Sequence, residues 1–422
     1  MLKRIKEPSR ILTLTTEGTN IAKGLKAQNL SPLEGFDVVL ENGLIKDFVP
    51  SGSYLATPHE VIDAHGKLLL PGFVECHTHS LFTGDRSTEY IMKLEGRSYE
   101  EISAAGGGIV STVKALRNTN EDTLLKLLLT RVDYFILQGV TTLEIKSGYG
   151  LDYESELKML RVINRVKQLR QTNIVPCFLG AHTVPPEFKQ NREGYLELLT
   201  EKLLPKVAEQ KLAGRCDAFC ESTAFSAEEV SLVFSRAKEL GFNLTLHTEQ
   251  FNNIGGLELA LKMGVLSVDH LEVLKDEQIS SVVNSDSVAV LLPGVSFTLN
   301  YQYAPARKLI DAGATVALST DYNPGTSNIN SIFLIMALAA RQMKMKSSEI
   351  LSAYTINAAA ALGVSDEVGS LEIGKRADLT ILNLQHEDQI VYNTAQNFNE
   401  ITMVNGEVVY SKNQIRQSGY EK

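Results

Sequence analysis

Pro71-Gly-Phe-Val-Glu-Cys-His77-Thr-His79 is the stretch on which the reading of the fold turns. It opens apolar and closes polar. As a strand its side chains alternate faces, so His77 and His79 point one way and Cys76 and Thr78 the other. Two imidazoles two residues apart on one face can chelate a single ion. Working outward, Thr141–Lys146, Ile174–His182, Cys216–Glu221, Phe242–His247, Leu266–His270, Val288–Pro293 and Thr315–Asp321 are further candidate strands. Helical stretches separate most of them. Residues 121–138 stop at Gly139, a C-terminal cap. Residues 152–170 open on Asp152 and set Leu157, Leu160, Ile163 and Val166 in one stripe. Residues 226–240 open on the capping box Ser226-Ala-Glu-Glu229 and stop at Gly241. Eight strands with crossover helices in about 290 residues predict an α/β fold, a (β/α)8 TIM-like barrel with its chemistry at the strand C-terminal ends. A doubly wound open sheet is the alternative.

The flanks differ from the middle. Phe36–Leu40 and Leu44–Phe48 alternate around Asn42-Gly43, and Ile401–Val404 and Glu407–Tyr410 around Asn405-Gly406. Asn-Gly between alternating apolar runs signals a hairpin. Lone hairpins are unstable, so the two ends are expected to build one small β-sandwich domain. The expected division is 1–70, 71–365 for the barrel, and 366–422.

The chain has 422 residues, 44% hydrophobic and 22% charged, with a net charge of −9. These proportions give a large core and argue against nucleic-acid or anionic-membrane binding. No apolar run approaches the roughly 18 residues of a membrane span. Ile11-Leu12-Thr13-Leu14 is too short and polar for a signal-peptide core. Cys76, Cys177, Cys216 and Cys220 are too few and scattered for a disulfide scaffold, so a cytoplasmic address is expected.

A lone H-x-H occurs by chance in many proteins, and a single strand-end histidine more often sits satisfied in a core. Here five of the eight histidines (77, 79, 182, 247 and 270) fall at strand ends, and the eighth strand ends on Asp321. Three His and one Asp meet the needs of a borderline-soft metal. His59, His65 and His386 lie in the flanks and are expected on the surface. Lys146 invites a carboxylated lysine bridging two metals, but that role needs the fourth strand and Lys146 is on the second. Gly106–Thr112 suggests a phosphate cradle but lacks the following Gly-Lys-Ser/Thr, so a backbone turn near the site is expected.

These features, with the tail Gly369-Ser-Leu-Glu-Ile-Gly-Lys-Arg-Ala-Asp-Leu379, resemble the amidohydrolase superfamily. Finer motifs are similar to its imidazolonepropionase family: Gly84-Asp-Arg86 with Glu89, Gly106–Thr112, Glu144-Ile-Lys-Ser-Gly-Tyr-Gly150, Gly180-Ala-His182, His247-Thr-Glu-Gln250 and Asp321-Tyr-Asn-Pro-Gly-Thr326. The resemblance covers nearly the whole chain. It implies one Zn or Fe ion per chain, a homodimer, and hydrolytic opening of 4-imidazolone-5-propanoate to N-formimidoyl-glutamate. Residue by residue, it implies that His77, His79, His247 and Asp321 hold the metal. Arg86, Tyr149, His182, Gln250, Asn323, Gly325 and Thr326 would hold substrate or product, with His270 beside the reacting water. In this superfamily the general base is often a Glu shortly after the fifth-strand His. The third position beyond is here Gln250, which cannot take a proton. Either Glu249 reaches in, or Asp321 and His270 share the proton work.

The residue chemistry fits on its own terms, since an anionic ligand needs a cation and Arg86 can bind a carboxylate bidentately. The competing reading of Arg86 is a surface salt bridge with Asp85 or Glu89. Tyr149, between Gly148 and Gly150, can hydrogen-bond a ring or simply pack. A nucleobase deaminase would share the metal residues but give Arg86 no carboxylate. A non-catalytic scaffold would be expected to have lost ligands.

Overall fold

The computed structural model describes residues 1–53, 58–97, 101 and 107–413. Its largest sheet has eight parallel strands in chain order: Phe73–Glu75, Val140–Lys146, Asn173–Ala181, Arg215–Cys220, Asn243–Thr248, Ser267–His270, Val288–Leu291 and Val316–Leu318. The two ends meet: the backbone N–H of Asp321 donates to His77 O, and that of His79 to Tyr322 O, each at 3.1 Å. The sheet is therefore a closed barrel, which excludes the open alternative.

The first and eighth strands are shorter than expected. They stop at Glu75 and Leu318, so His77, His79 and Asp321 lie on the segments just beyond. The cause is the closure itself. Ser319 Oγ hydrogen-bonds the Glu75 carboxylate and accepts from His77 N at 2.8 Å, and Thr320 N donates to Glu75 Oε1 at 2.8 Å. These contacts bend both tips inward.

The helices begin where side chains can take the unpaired N–H groups of a first turn. Asn120 Oδ1 accepts from Thr123 N at 2.9 Å ahead of Glu121–Ile136, and Asp152 Oδ1 from Ser155 N at 2.7 Å ahead of Tyr153–Leu169. Ala227–Glu239 starts on the complete Ser226/Glu229 capping box. Gly139 (φ +94°) and Gly241 (φ +83°) reverse the chain toward the next strand. Leu128, Val132, Leu160, Ile163, Val166 and Val233 are fully buried against the barrel. Each contributes roughly 1.5–3 kcal/mol of hydrophobic stabilisation.

Two further sheets face one another across a separate core that includes Ile5, Val38, Leu40, Leu69, Ile381 and Met403. The six-stranded one joins the chain ends, Leu379–Leu382 running antiparallel to Leu68–Pro71. In both hairpins the Asn and the Gly have positive φ, +52° and +83° at Asn42-Gly43 and +52° and +73° at Asn405-Gly406. That is the turn whose twist matches paired strands. The β-sandwich thus leads straight through Pro71 into the first barrel strand. No helix among the described residues is long and apolar enough to cross a membrane.

Candidate metal centre and active-site cavity

Four buried side chains converge inside the C-terminal mouth of the barrel. His79 Nε2 is 3.2 Å from His247 Nε2 and 3.3 Å from Asp321 Oδ1, and His77 Nε2 is 3.5 Å from the same oxygen. His77 Nε2 and Asp321 Oδ1 are buried with no hydrogen-bond partner. Unpaired polar atoms in such a place are costly unless something binds them. Three imidazoles and one carboxylate are a donor set for zinc or iron. The residues fit a metal.

The far sides of the rings are held by carboxylates. His77 Nδ1 donates to Asp269 at 2.6 Å, and His247 Nδ1 lies 3.0 Å from Asp217. The bond to Asp269 fixes the His77 tautomer that leaves Nε2 free to ligate, whereas Asp217 faces His247 Nδ1 without a hydrogen bond. Asp217 also pairs with Lys146 at 2.8 Å, and Lys146 with Glu144 at 2.7 Å. Burial would lower the pKa of Lys146, but the two carboxylates hold it well above the usual lysine value. Its ammonium is committed beneath the ligands. Burial pushes His77 and His247 well below the usual histidine value, so both are neutral. Burial alone would raise Asp321, but His77 and His79 hold it below the usual carboxylate range.

Above the four side chains opens a cavity of about 490 Å³. His79, His247, Asp321, His270, Arg86, Tyr149, His182, Gln250, Asn323, Gly325 and Thr326 all line it. His77 lies beneath. Glu249 is turned away: its backbone bends at φ +55°, and its side chain accepts from Leu257 N at 3.4 Å. Burial raises Glu249 to about 7. The fifth strand ends at Thr248, so the alternation that would have set Glu249 beside His247 is broken. Lys93, Phe219 and Leu299 also line the cavity and carried no signal in the sequence; Gly108, from the expected turn, lines it too. Gly108 (φ +84°) is the turn before the helix Ile109–Arg117; Gly106 lies outside the described residues.

His182 donates from Nδ1 to Gly148 O at 2.9 Å, leaving Nε2 as an acceptor. Burial, then His79, pushes its pKa down to about 3. The ring stacks on His79 at 5.0 Å, and Tyr149 closes the same wall 5.4 Å from His182. Glu156 makes that wall: its Oε1 accepts N–H from Gly148, Gly150 and Leu151 at 3.1, 2.8 and 2.9 Å.

Across the cavity, Arg86 forms a largely buried salt bridge rather than a surface one. It is paired with Glu89 and it faces the ligand space. A Cβ on Gly325 would lie 2.2 Å from Arg86 Nη1, so any larger residue there would force the guanidinium to shift. The Asn323 side chain is spent on its own loop, accepting from Gly325 N and Thr326 N at 2.8 and 2.7 Å. His270 sits at φ +87° with Nδ1 3.4 Å from Glu272, a buried carboxylate that pattern reading missed.

A closed parallel barrel with this His and Asp set at its C-terminal mouth defines a metal-dependent hydrolase, and the profile of the amidohydrolase family matches residues 68–409. Among solved structures, a zinc-bound adenosine deaminase from Xanthomonas campestris superposes with a TM-score of 0.72 at 17% identity, covering 96% of this chain and 92% of that one. Atrazine chlorohydrolase from Arthrobacter aurescens, complexed with zinc, gives 0.68 at 15%, covering 97% and 95%. At these identities the likeness is one of fold. Sequence relatives are nearer. The imidazolonepropionase of Clostridium tetani is 42% identical over 97% of this chain and 98% of its own, and that of Paracoccus denitrificans 46% over 82% and 87%. The chain belongs to the imidazolonepropionase family of amidohydrolases.

Proposed function

We propose that the chain hydrolyses the ring amide of 4-imidazolone-5-propanoate to N-formimidoyl-L-glutamate in histidine degradation, using one Zn or Fe ion. One observation carries this reading: a single cavity joins the four-ligand centre at its floor to the Arg86 guanidinium on its wall. A ring amide at the centre then places a propanoate tail toward a cation.

A bound ion supplies Lewis acidity, which lowers the pKa of a water from 15.7 to about 7. The chain does the rest. Tyr149 and His182 form the wall against the ring, with His182 Nε2 offered to a ring N–H. Asp321, ionised at neutral pH, is placed to receive the proton of the attacking water. His270, backed by Glu272, faces the carbonyl oxygen as charge develops on it. The water oxygen bonds to the ring carbonyl carbon, the carbon–nitrogen bond breaks, and the nitrogen leaves with a proton. Glu249 lies outside the cavity and takes no part; Gln250 offers an amide, which can hydrogen-bond but not act as a base.

The second reading, a nucleobase deaminase, is favoured by the adenosine deaminase fold likeness. It gives the cavity face of the Arg86–Glu89 pair no anionic ligand to meet. Product analysis separates the two. Ring opening adds one water and releases no ammonia; ammonia released from nucleobases, with the imidazolone untouched, would overturn the proposal. The four buried, unpaired thiols suit a reducing cytoplasm, and family resemblance supports a homodimer.

A further inference from the structure

Arg86 alone leaves the carboxylate subsite without net charge. Its Nε and Nη2 contact the same oxygen of Glu89, at 2.8 and 2.7 Å. The other Glu89 oxygen accepts from Ser111 Oγ at 3.1 Å. Burial would raise Glu89, but Arg86 and these hydrogen bonds hold it below the usual carboxylate range. The pair is therefore formed and neutral before any ligand arrives. The floor of the cavity adds the negative Asp321.

Among the described residues, one other cationic side chain faces this space. Lys93 lies seven residues after Arg86 and four after Glu89, on the helix Ser87–Leu94. At helical spacing the three form one stripe. Lys93 lines the active-site cavity and also the adjoining cavity of about 610 Å³, and Arg86 lines both as well. Among the described residues it makes no ion pair. Burial first, and then the charge of Arg86, push its pKa down. Glu89 offsets this in part, but an ammonium beside a guanidinium and in no ion pair gains when an anion settles between them.

We propose that Lys93 is the second cation of the carboxylate subsite. It gives the Arg86–Glu89–Lys93 stripe a net charge of +1 and holds the propanoate tail together with Arg86. Arg86 supplies direction through its planar fork, and Lys93 supplies uncompensated charge. The inference rests on the proposed function, because it takes the ligand to be a ring bearing a carboxylate tail. Lys93 would bind and select the ligand; it takes no part in bond breaking.

The test compares Lys93→Met and Lys93→Arg with the parent chain on two substrates. One is the imidazolone propanoate; the other is the same ring with methyl in place of the tail. Lys93→Met should raise KM for the first by roughly tenfold or more, the usual scale for a contact to a charged group. It should leave kcat, and KM for the methyl ring, within about twofold, and Lys93→Arg should restore most of the loss. An unchanged KM, or equal changes on both substrates, would overturn the inference. Calorimetric binding of 3-(imidazol-4-yl)propanoate gives a second readout. If the parent chain fails to open the imidazolone, the functional reading falls, yet this probe still decides Lys93. Weaker binding to Lys93→Met supports the role, and equal or no binding to both chains refutes it.

Discussion

At the scale of single residues, the proposed metal centre depends on groups outside its four candidate ligands. Asp269 is 2.6 Å from His77 Nδ1, and Asp217 is 3.0 Å from His247 Nδ1. Replacing Asp269 by Asn keeps the shape but weakens the hold on the imidazole. Metal affinity should fall about 10–100-fold, read by competition with a chelator, while the fold is kept. Unaltered affinity would show that Asp269 serves the fold alone. His77, His79, His247, His270 and Asp321 were legible because metal-binding residue types recur at strand ends. Asp217 and Asp269 were not, nor was the part Lys146 plays beneath them. A charged residue inside a short strand carries no mark of its partner, and these partners come from neighbouring strands. Glu249 shows the limit of alternation, which holds only while the strand continues.

At the scale of elements, capped helices were legible to within a residue or two because their signals are local. The length of the first and eighth strands was not, because contacts between residues more than 240 positions apart set it, Glu75 with Ser319 and Thr320. The loop that carries Tyr149 is a similar case. Nothing in Gly148–Leu151 announces that Glu156, in the first turn of the next helix, gathers three of its N–H groups. Glu156→Gln should loosen this loop. An amide has one acceptor oxygen, and its NH2 meets backbone donors. A stability loss of about 1–3 kcal/mol is expected, for one unsatisfied buried group. A fall in kcat/KM through misplaced Tyr149 and His182 should accompany it. Full activity in the destabilised variant would show that the loop needs no such anchor.

At the scale of the whole molecule, the two Asn-Gly turns and the alternating flanks made a β domain legible, and its mixing of both chain ends followed from the instability of lone hairpins. Arg4 and Asp37 pin that domain, with Asp37 accepting from Arg4 Nε at 2.6 Å, Ser51 Oγ at 2.6 Å and Glu7 N at 2.9 Å. Burial would raise Asp37, but these bonds outweigh it and hold it below the usual carboxylate range. A depressed folded-state pKa stabilises fully above the unfolded value of about 3.9 and is lost as pH falls through the folded value. The stability gap between the parent chain and Asp37→Asn should therefore be constant near pH 6 and shrink below about pH 4. A gap independent of pH would mean that Asp37 gains nothing from its charge. The proposed chemistry joins all three scales: one metal, held by His77, His79, His247 and Asp321, would drive ring opening. Its most direct measurement titrates metal-stripped protein with zinc or iron while following loss of the ultraviolet absorbance of the 4-imidazolone-5-propanoate ring. Turnover should rise linearly and level off at about one ion per chain, as a single four-ligand site requires. A plateau at two ions, or no loss of absorbance at any loading, would contradict it.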